Sequence, residues 1–430
     1  MTRKKLITVV VCLMILQFIL IGVTVAEFTQ WPIYVSNGYY VSPPIGMGPN
    51  GGEIIAQIDL VNNRADDAYV AILSSAQLAG WKQILESSDM LEVHAMPSTV
   101  TRPVKNGSVS MRINVNIPLA DQYSIVVVFT GDRPEDETDM HAGGILRVDW
   151  MQNDGTFLQY QFKKLPFALQ VMFNVVTCVL AVYLSIIIVN MKLVTILHYI
   201  FLFLVSYTLL FLACWRSGLL LEDSVGDRSH WKTRWIPGLL EKGFDIIEVV
   251  VYFIVAVGWK SVRNHLYPTE LQFITIGSTI SFILGVFEIA CGDDAVSAGN
   301  FTSARMIVHM FGYLAAIVGF NFQLAFGTSI LQDSSIASRD TARTYFFLDK
   351  FWWFRAVFLA FIIQPTVSVV IRSDILDWQD DWLFVTFFWA TKIALLVTVA
   401  FVFRPQPVSR MSVVEMSIKE RRRQANSVGS

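Results

Sequence analysis

The sequence predicts a membrane α-helical bundle of seven transmembrane helices preceded by an all-β luminal or extracellular β-sandwich domain. Three observations carry this. Charged residues make up 16% of the chain and hydrophobic ones 54%, against about a quarter charged in soluble domains. Apolar runs long enough to cross a bilayer recur through residues 166–404. Residues 27–165 are instead mixed in polarity and broken into short strand-like runs.

The first 26 residues carry Arg3, Lys4 and Lys5, then an apolar run from Leu6 to Val23, then small residues ending at Ala26. This is the pattern of a signal peptide. The long apolar run leaves an uncleaved anchor as the other reading. Either way, residues 27–165 are delivered to the lumen or the cell exterior.

In that segment EIIAQIDLV, AYVAILSS, VSMRINVNI, YSIVVVF, ILRVDW and FLQYQF read as strands, separated by turn signals such as NNRADD, KNGS and NDGT. One helix is predicted through LAGWKQILES. Strands at this spacing suggest an antiparallel β-sandwich. The segment contains no cysteine, so its core must hold without disulfides. Asn106-Gly107-Ser108 is a glycosylation sequon in a turn.

Seven spans are predicted at 166–190, 194–215, 240–259, 271–291, 305–331, 351–372 and 382–403. A luminal start then leaves the C-terminus in the cytosol. The charges agree: Lys192, Lys260, Arg339, Arg343 and the tail cluster with Arg421, Arg422 and Arg423 fall on the cytosolic side, while RSDILDWQDDW is acidic and luminal. Asn300-Phe301-Thr302 is a second sequon, in a predicted luminal loop beside span five. Residues 405–430 read as a disordered basic tail, either a solvated flank or a contact for anionic lipid and sorting partners. No basic domain marks the chain as a nucleic-acid binder.

Ionisable residues inside spans are costly and default to functional candidates. They are Asp245, Glu248, Glu288, His309 and Lys392. Asp245 and Glu248 are spaced to share a helix face. Lys392 lies about 15 Å along its helix from Trp382, near mid-bilayer. The cheapest arrangement is an internal ion pair, Lys392 with Glu248 or Glu288, lining a luminal-facing cavity. Three readings stand for this cluster: a structural pair that fixes helix packing, a polar ligand or ion cavity open to the lumen, and a retinal Schiff base on Lys392. The last needs a neutral lysine among aromatic groups, here Phe387, Phe388 and Trp389, but a β-rich luminal domain is foreign to rhodopsins. Cys214 and Cys291 fall at luminal helix ends, as a disulfide or as two thiols. Pro365 falls inside span six, where it is expected to kink the helix.

No Gly-rich phosphate loop, His-Glu-x-x-His motif or Gly-x-Ser-x-Gly elbow is present, so enzyme chemistry is not expected. The signatures of rhodopsin-class receptors are missing from the ends of spans three and seven.

GGILRVDWMQNDGTFLQYQFKKLPF (143–167) and VAFVFRP (399–405) add two local stretches to the layout. Together these resemble the GOST family, proteins with a Golgi-dynamics-type luminal domain and seven transmembrane helices. The luminal segment is shorter than in most relatives and lacks their cysteines. The resemblance implies a Golgi or endosomal protein of membrane traffic, or an orphan receptor, whose luminal domain caps a cavity between the helices. The expected partners are membrane lipids, a luminal protein or lipidic ligand, and a trafficking adaptor or G protein at the cytosolic face. The rival functions are a surface G-protein-coupled receptor, with Arg339 and Arg343 at the contact, and an ion channel or transporter built on the charged cluster. No cofactor is expected.

Overall fold

The computed structural model describes residues 30–35, 39–60, 68–86, 100–104, 108–115, 120–129, 142–226, 235–259, 265–291, 295–332 and 338–405. The signal-peptide segment, the Asn106 sequon and the tail with Arg421, Arg422 and Arg423 lie outside the described residues.

The N-terminal region runs through β1 (Gln30–Val35), β2 (Tyr39–Val41), β3 (Ile45–Met47), β4 (Gly52–Leu60), β5 (Ala68–Ser74), helix α1 (Ser75–Glu86), β6 (Val100–Val104), β7 (Ser108–Val115), β8 (Asp121–Phe129) and β9 (Ala142–Gln152). One antiparallel sheet has the order β1-β9-β4-β7. A second has the order β2-β8-β5-β6, with β3 also paired to β8.

Alternate residues of β4, Ile54, Ala56 and Ile58, are fully buried. Their antiparallel register sets Ile54 opposite Trp150 and Ile58 opposite Leu146, both buried in β9. The run IVVV in β8 is buried on both faces, as a continuous apolar strand should be. Val126 and Val128 of β8, with Ala71 and Leu73 of β5, pack against Trp81 of α1. The amphipathic α1 thus covers one face of the second sheet.

FLQYQF (157–162) is not a strand. Phe157 N–H donates to the Asp223 backbone carbonyl and Leu158 N–H to its carboxylate, both at 3.1 Å. Backbone donors spent on a helix end cannot join a sheet, and Tyr160–Phe162 closes into a 3-10 turn instead.

The helices follow as α2 (Leu165–Val189), α3 (Ile196–Val225), α4 (Trp235–Ala256), α5 (Pro268–Ala290), α6 (Ala295–Gln332), α7 (Ser338–Asp374) and α8 (Asp381–Val402). Pro166 opens α2, where a missing N–H costs nothing. Thr195 and His198 form a capping box on α3, and Gly226, at φ 76°, ends it in the left-handed conformation. Six of these helices are long and apolar enough to cross a membrane: α2, α3, α5, α6, α7 and α8. The chain is therefore a multi-pass membrane protein. Their exposed faces carry large apolar side chains, Phe167, Ile188, Met310 and Phe322 among them, as a lipid-facing surface requires.

The expected third span, α4, departs from this pattern: 22 residues hold Glu241, Lys242, Asp245 and Glu248. Two other boundaries moved. Helix α6 begins at Ala295, so Asn300 sits exposed in its second turn rather than in a loop. Helix α7 begins at Ser338, so Arg339 and Arg343 lie on a helix and not in a loop; their side chains are outside the described residues. Helix α7 continues through Pro365.

The β region is seated on one end of the bundle. Gln152 links β3 to the segment that leads into the helices: its Oε1 accepts from Gly48 N–H at 2.9 Å, and its Nε2 donates to the carbonyls of Gly46 at 3.0 Å and, in that segment, Leu158 at 3.4 Å. Tyr160 lies 6.3 Å from the ring of Trp378 in the turn before α8. Asp154 is partly desolvated, which works against ionisation, but hydrogen bonds from Lys163 and Thr156 outweigh this and hold its pKa down at about 2. A Cβ added at Gly46 would fall 1.8 Å from Gln161 Oε1 and 2.9 Å from Trp378. Gly46→Val should therefore cost about 1–3 kcal/mol by overpacking. It should show as faster limited proteolysis at the junction; cleavage at the wild-type rate would mean the seat is looser than the geometry implies.

Candidate functional site

The buried polar chain begins with the spacing of α4. Glu241, Asp245, Glu248 and Tyr252 follow in steps of four, three and four residues, which places them on one helical stripe. Lys242 precedes Asp245 by three. Three neighbouring helices supply the remaining charges: Glu288 from α5, Arg305 from α6 and Lys392 from α8.

The charges alternate. Lys242 Nζ meets Glu288 Oε1 at 2.7 Å. Arg305 joins Glu288 Oε2 through Nε at 2.9 Å and Asp245 Oδ2 through Nη1 at 2.7 Å. Lys392 Nζ meets Asp245 Oδ1 at 2.6 Å and Glu248 Oε2 at 2.9 Å. Glu241, 3.8 Å from Lys242, extends the chain toward the surface, with its side chain 40% exposed. Lys242, Arg305 and Lys392 are buried, and Glu248 is fully so. Such charges persist in a low-dielectric interior only when paired and hydrogen-bonded, and here each cation touches two carboxylates.

Aromatic rings complete the Lys392 environment. Its ammonium lies 5.0 Å from the ring centroid of Trp389 and 5.2 Å from that of Phe244. Both distances suit a cation–π contact. Trp389 in turn packs on Phe211 and Trp215 of α3.

The structure thus brings together four of the five sequence candidates. Lys392 pairs with Glu248, one of its two expected partners, and also with Asp245. Glu288 is not its partner: Lys242 and Arg305 occupy that carboxylate, and neither was among the sequence candidates. The ammonium held between two carboxylates offers no neutral amine to an aldehyde, which disfavours the Schiff-base reading.

His309 stands apart. Its Nε2 lies 2.6 Å from Ser281 Oγ. Both line a cavity of about 40 Å³ between α4, α5 and α6, with Val249, Phe253, Phe273 and Ser278. That space suits about one water molecule. None of the charged chain lines it. Cys214 and Cys291 are free thiols; α4 packs against both α3 and α5 and keeps their helices apart. Among the described residues, no group of three metal-ligating side chains comes together.

Compared with known proteins, the chain matches no family model and no curated sequence. The site is a chain of alternating charges running through four helices, with its most secluded member at Glu248.

Proposed function

We propose that this chain is a non-enzymatic, receptor-like protein of secretory-pathway membranes, with a role in Golgi or endosomal traffic. In this reading α4 crosses as the seventh span, and the β region folds as a luminal sandwich that binds a protein or lipidic partner. The N-terminus is luminal and the C-terminus cytosolic.

The observation that carries the reading is the seat of the β region on the helices. Gln152, the Asp223 clamp and the Gly46 contact make a junction through which partner binding can bias the bundle. The stretches that resemble GOST proteins fall at this junction and at the end of α8, since 143–167 spans β9 and the clamp. The crossing of α4 is supported by its charge pairing: its carboxylates meet Lys242, Arg305 and Lys392 inside the bundle. Membrane-embedded charges are tolerated where they face the bundle interior and pair with one another.

The test is the steady-state location of a C-terminally tagged full-length protein, imaged against Golgi, endosome and surface markers. A Golgi or endosomal signal is expected. Residence outside the secretory and endosomal route would overturn the reading. A dominant surface signal would replace it with a ligand receptor, and nucleotide exchange on a G-protein panel would come next.

A further inference from the structure

The three carboxylates at the centre of the chain are not equally served, and of them Glu248 alone is fully buried. Asp245 is held by Arg305 and Lys392, and Glu288 by Lys242 and Arg305. Glu248 meets one cation and shares it. Lys392 donates to Asp245 Oδ1 at 2.6 Å and stands 2.9 Å from Glu248 Oε2. Glu248 Oε1 accepts from no donor among the described residues, although the residue is fully buried. One turn on, the Tyr252 hydroxyl is also buried without a hydrogen-bond partner among the described residues.

The groups around Glu248 come from several elements. On α4 they are Asp245 and Tyr252; on α8, Lys392; on α6, Tyr313, within electrostatic reach. Helix α7 contributes Phe358 and Phe361, whose rings pack on Tyr252. Helix α3 contributes Tyr207, which senses Asp245 and donates to the Leu240 carbonyl. Arg305 bridges Asp245 to Glu288.

A buried anion with an oxygen that no donor serves forfeits part of its hydration without replacement. A proton removes that deficit: the neutral carboxyl has lost its charge and gained a donor. The local charge agrees. Glu241, Asp245, Glu248 and Glu288 oppose Lys242, Arg305 and Lys392, so one acid is in excess and one proton balances the group.

We propose that Glu248 is a proton-binding site within the helix bundle, and that taking up the proton hands Lys392 wholly to Asp245. No other bond changes: the proton arrives from water, and one ion pair is exchanged for a neutral carboxyl. The ligand is the proton itself, and what it regulates is the tie between α4 and α8. The site is independent of any luminal partner, so its failure and that of the trafficking reading are separable.

Infrared difference spectra of the full-length protein in lipid nanodiscs test this, with pH lowered from about 8 to about 5. A protonated-carboxyl band should grow in the wild type, vanish in Glu248→Gln and survive in Glu241→Gln. A band already present at about pH 8 and lost in Glu248→Gln would equally assign the proton to this site. In Lys392→Met, which removes the one cation, the band should be present from the highest pH. Glu248→Asp guards against a misfolded Gln variant, because it keeps a carboxyl and should move the band in frequency. No band in the wild type at any pH, or a band unchanged in both Glu248 variants, would overturn the proposal.

Discussion

Lys392→Met is expected to lower the thermal midpoint of the detergent-solubilised protein more than any other single change in the charged chain. Asp245 keeps Arg305 after this substitution, but Glu248 keeps nothing, and it is fully buried. A broken buried pair typically costs about 3–5 kcal/mol, felt here as the work of holding a proton on Glu248 against bulk pH. The double variant Lys392→Met/Glu248→Gln should recover more than half of that loss, because the amide is neutral without taking up a proton. Lys392→Met/Glu288→Gln should recover none, since Glu288 is held by Lys242 and Arg305. Equal midpoints for the Lys392 single and Glu248 double variants would refute the pairing.

Arg305→Met should have the second-largest effect, about 3 kcal/mol on the same scale. Its guanidinium reaches two carboxylates on two helices through separate nitrogens, Nη1 to Asp245 and Nε to Glu288. Each acid retains one lysine when it is lost, which is why the cost stays below that of Lys392→Met. Arg305→Lys distinguishes charge from geometry. A compact ammonium cannot reproduce the planar fork, so the lysine variant should fall between wild type and Met. Full recovery by lysine would show that position of charge alone matters there.

The sequence made Lys392 conspicuous because it interrupts an otherwise apolar run. Asp245 and Glu248 were legible as one face from their three-residue spacing. Lys242 and Arg305 were not, because both looked like charges at span ends. The expected third span opened at 240 and the fifth at 305, whereas α4 starts at Trp235 and α6 at Ala295. The extra turns draw both cations into the bundle. A usable signal did exist: Arg305 precedes His309 by four residues and Lys242 precedes Asp245 by three, so each shares a face with a candidate already singled out. The strands of β4, β5, β7, β8 and β9 were visible in their runs, while the short β2 and β3 were not. Their pairing with β8 is a tertiary choice that three residues cannot announce. FLQYQF has strand-like composition, but the Asp223 clamp decides its conformation from outside the segment.

The separation of 147 positions from Asp245 to Lys392 also sets an order of events during synthesis. On the proposed crossing, helix α4 leaves the ribosome with three acids and one lysine, and each ionised residue at a helix centre opposes insertion by about 2.5–3.5 kcal/mol. Its first outside counter-charge, Arg305, arrives with α6, and its last, Lys392, only with α8, almost at the end of translation. Until then Glu248 has no cation to meet. If α4 crosses as proposed, the final helix would serve as a completion check: a chain cut ahead of Asp381 would present the insertion and quality-control machinery with an acid in the bilayer and no cation to meet it.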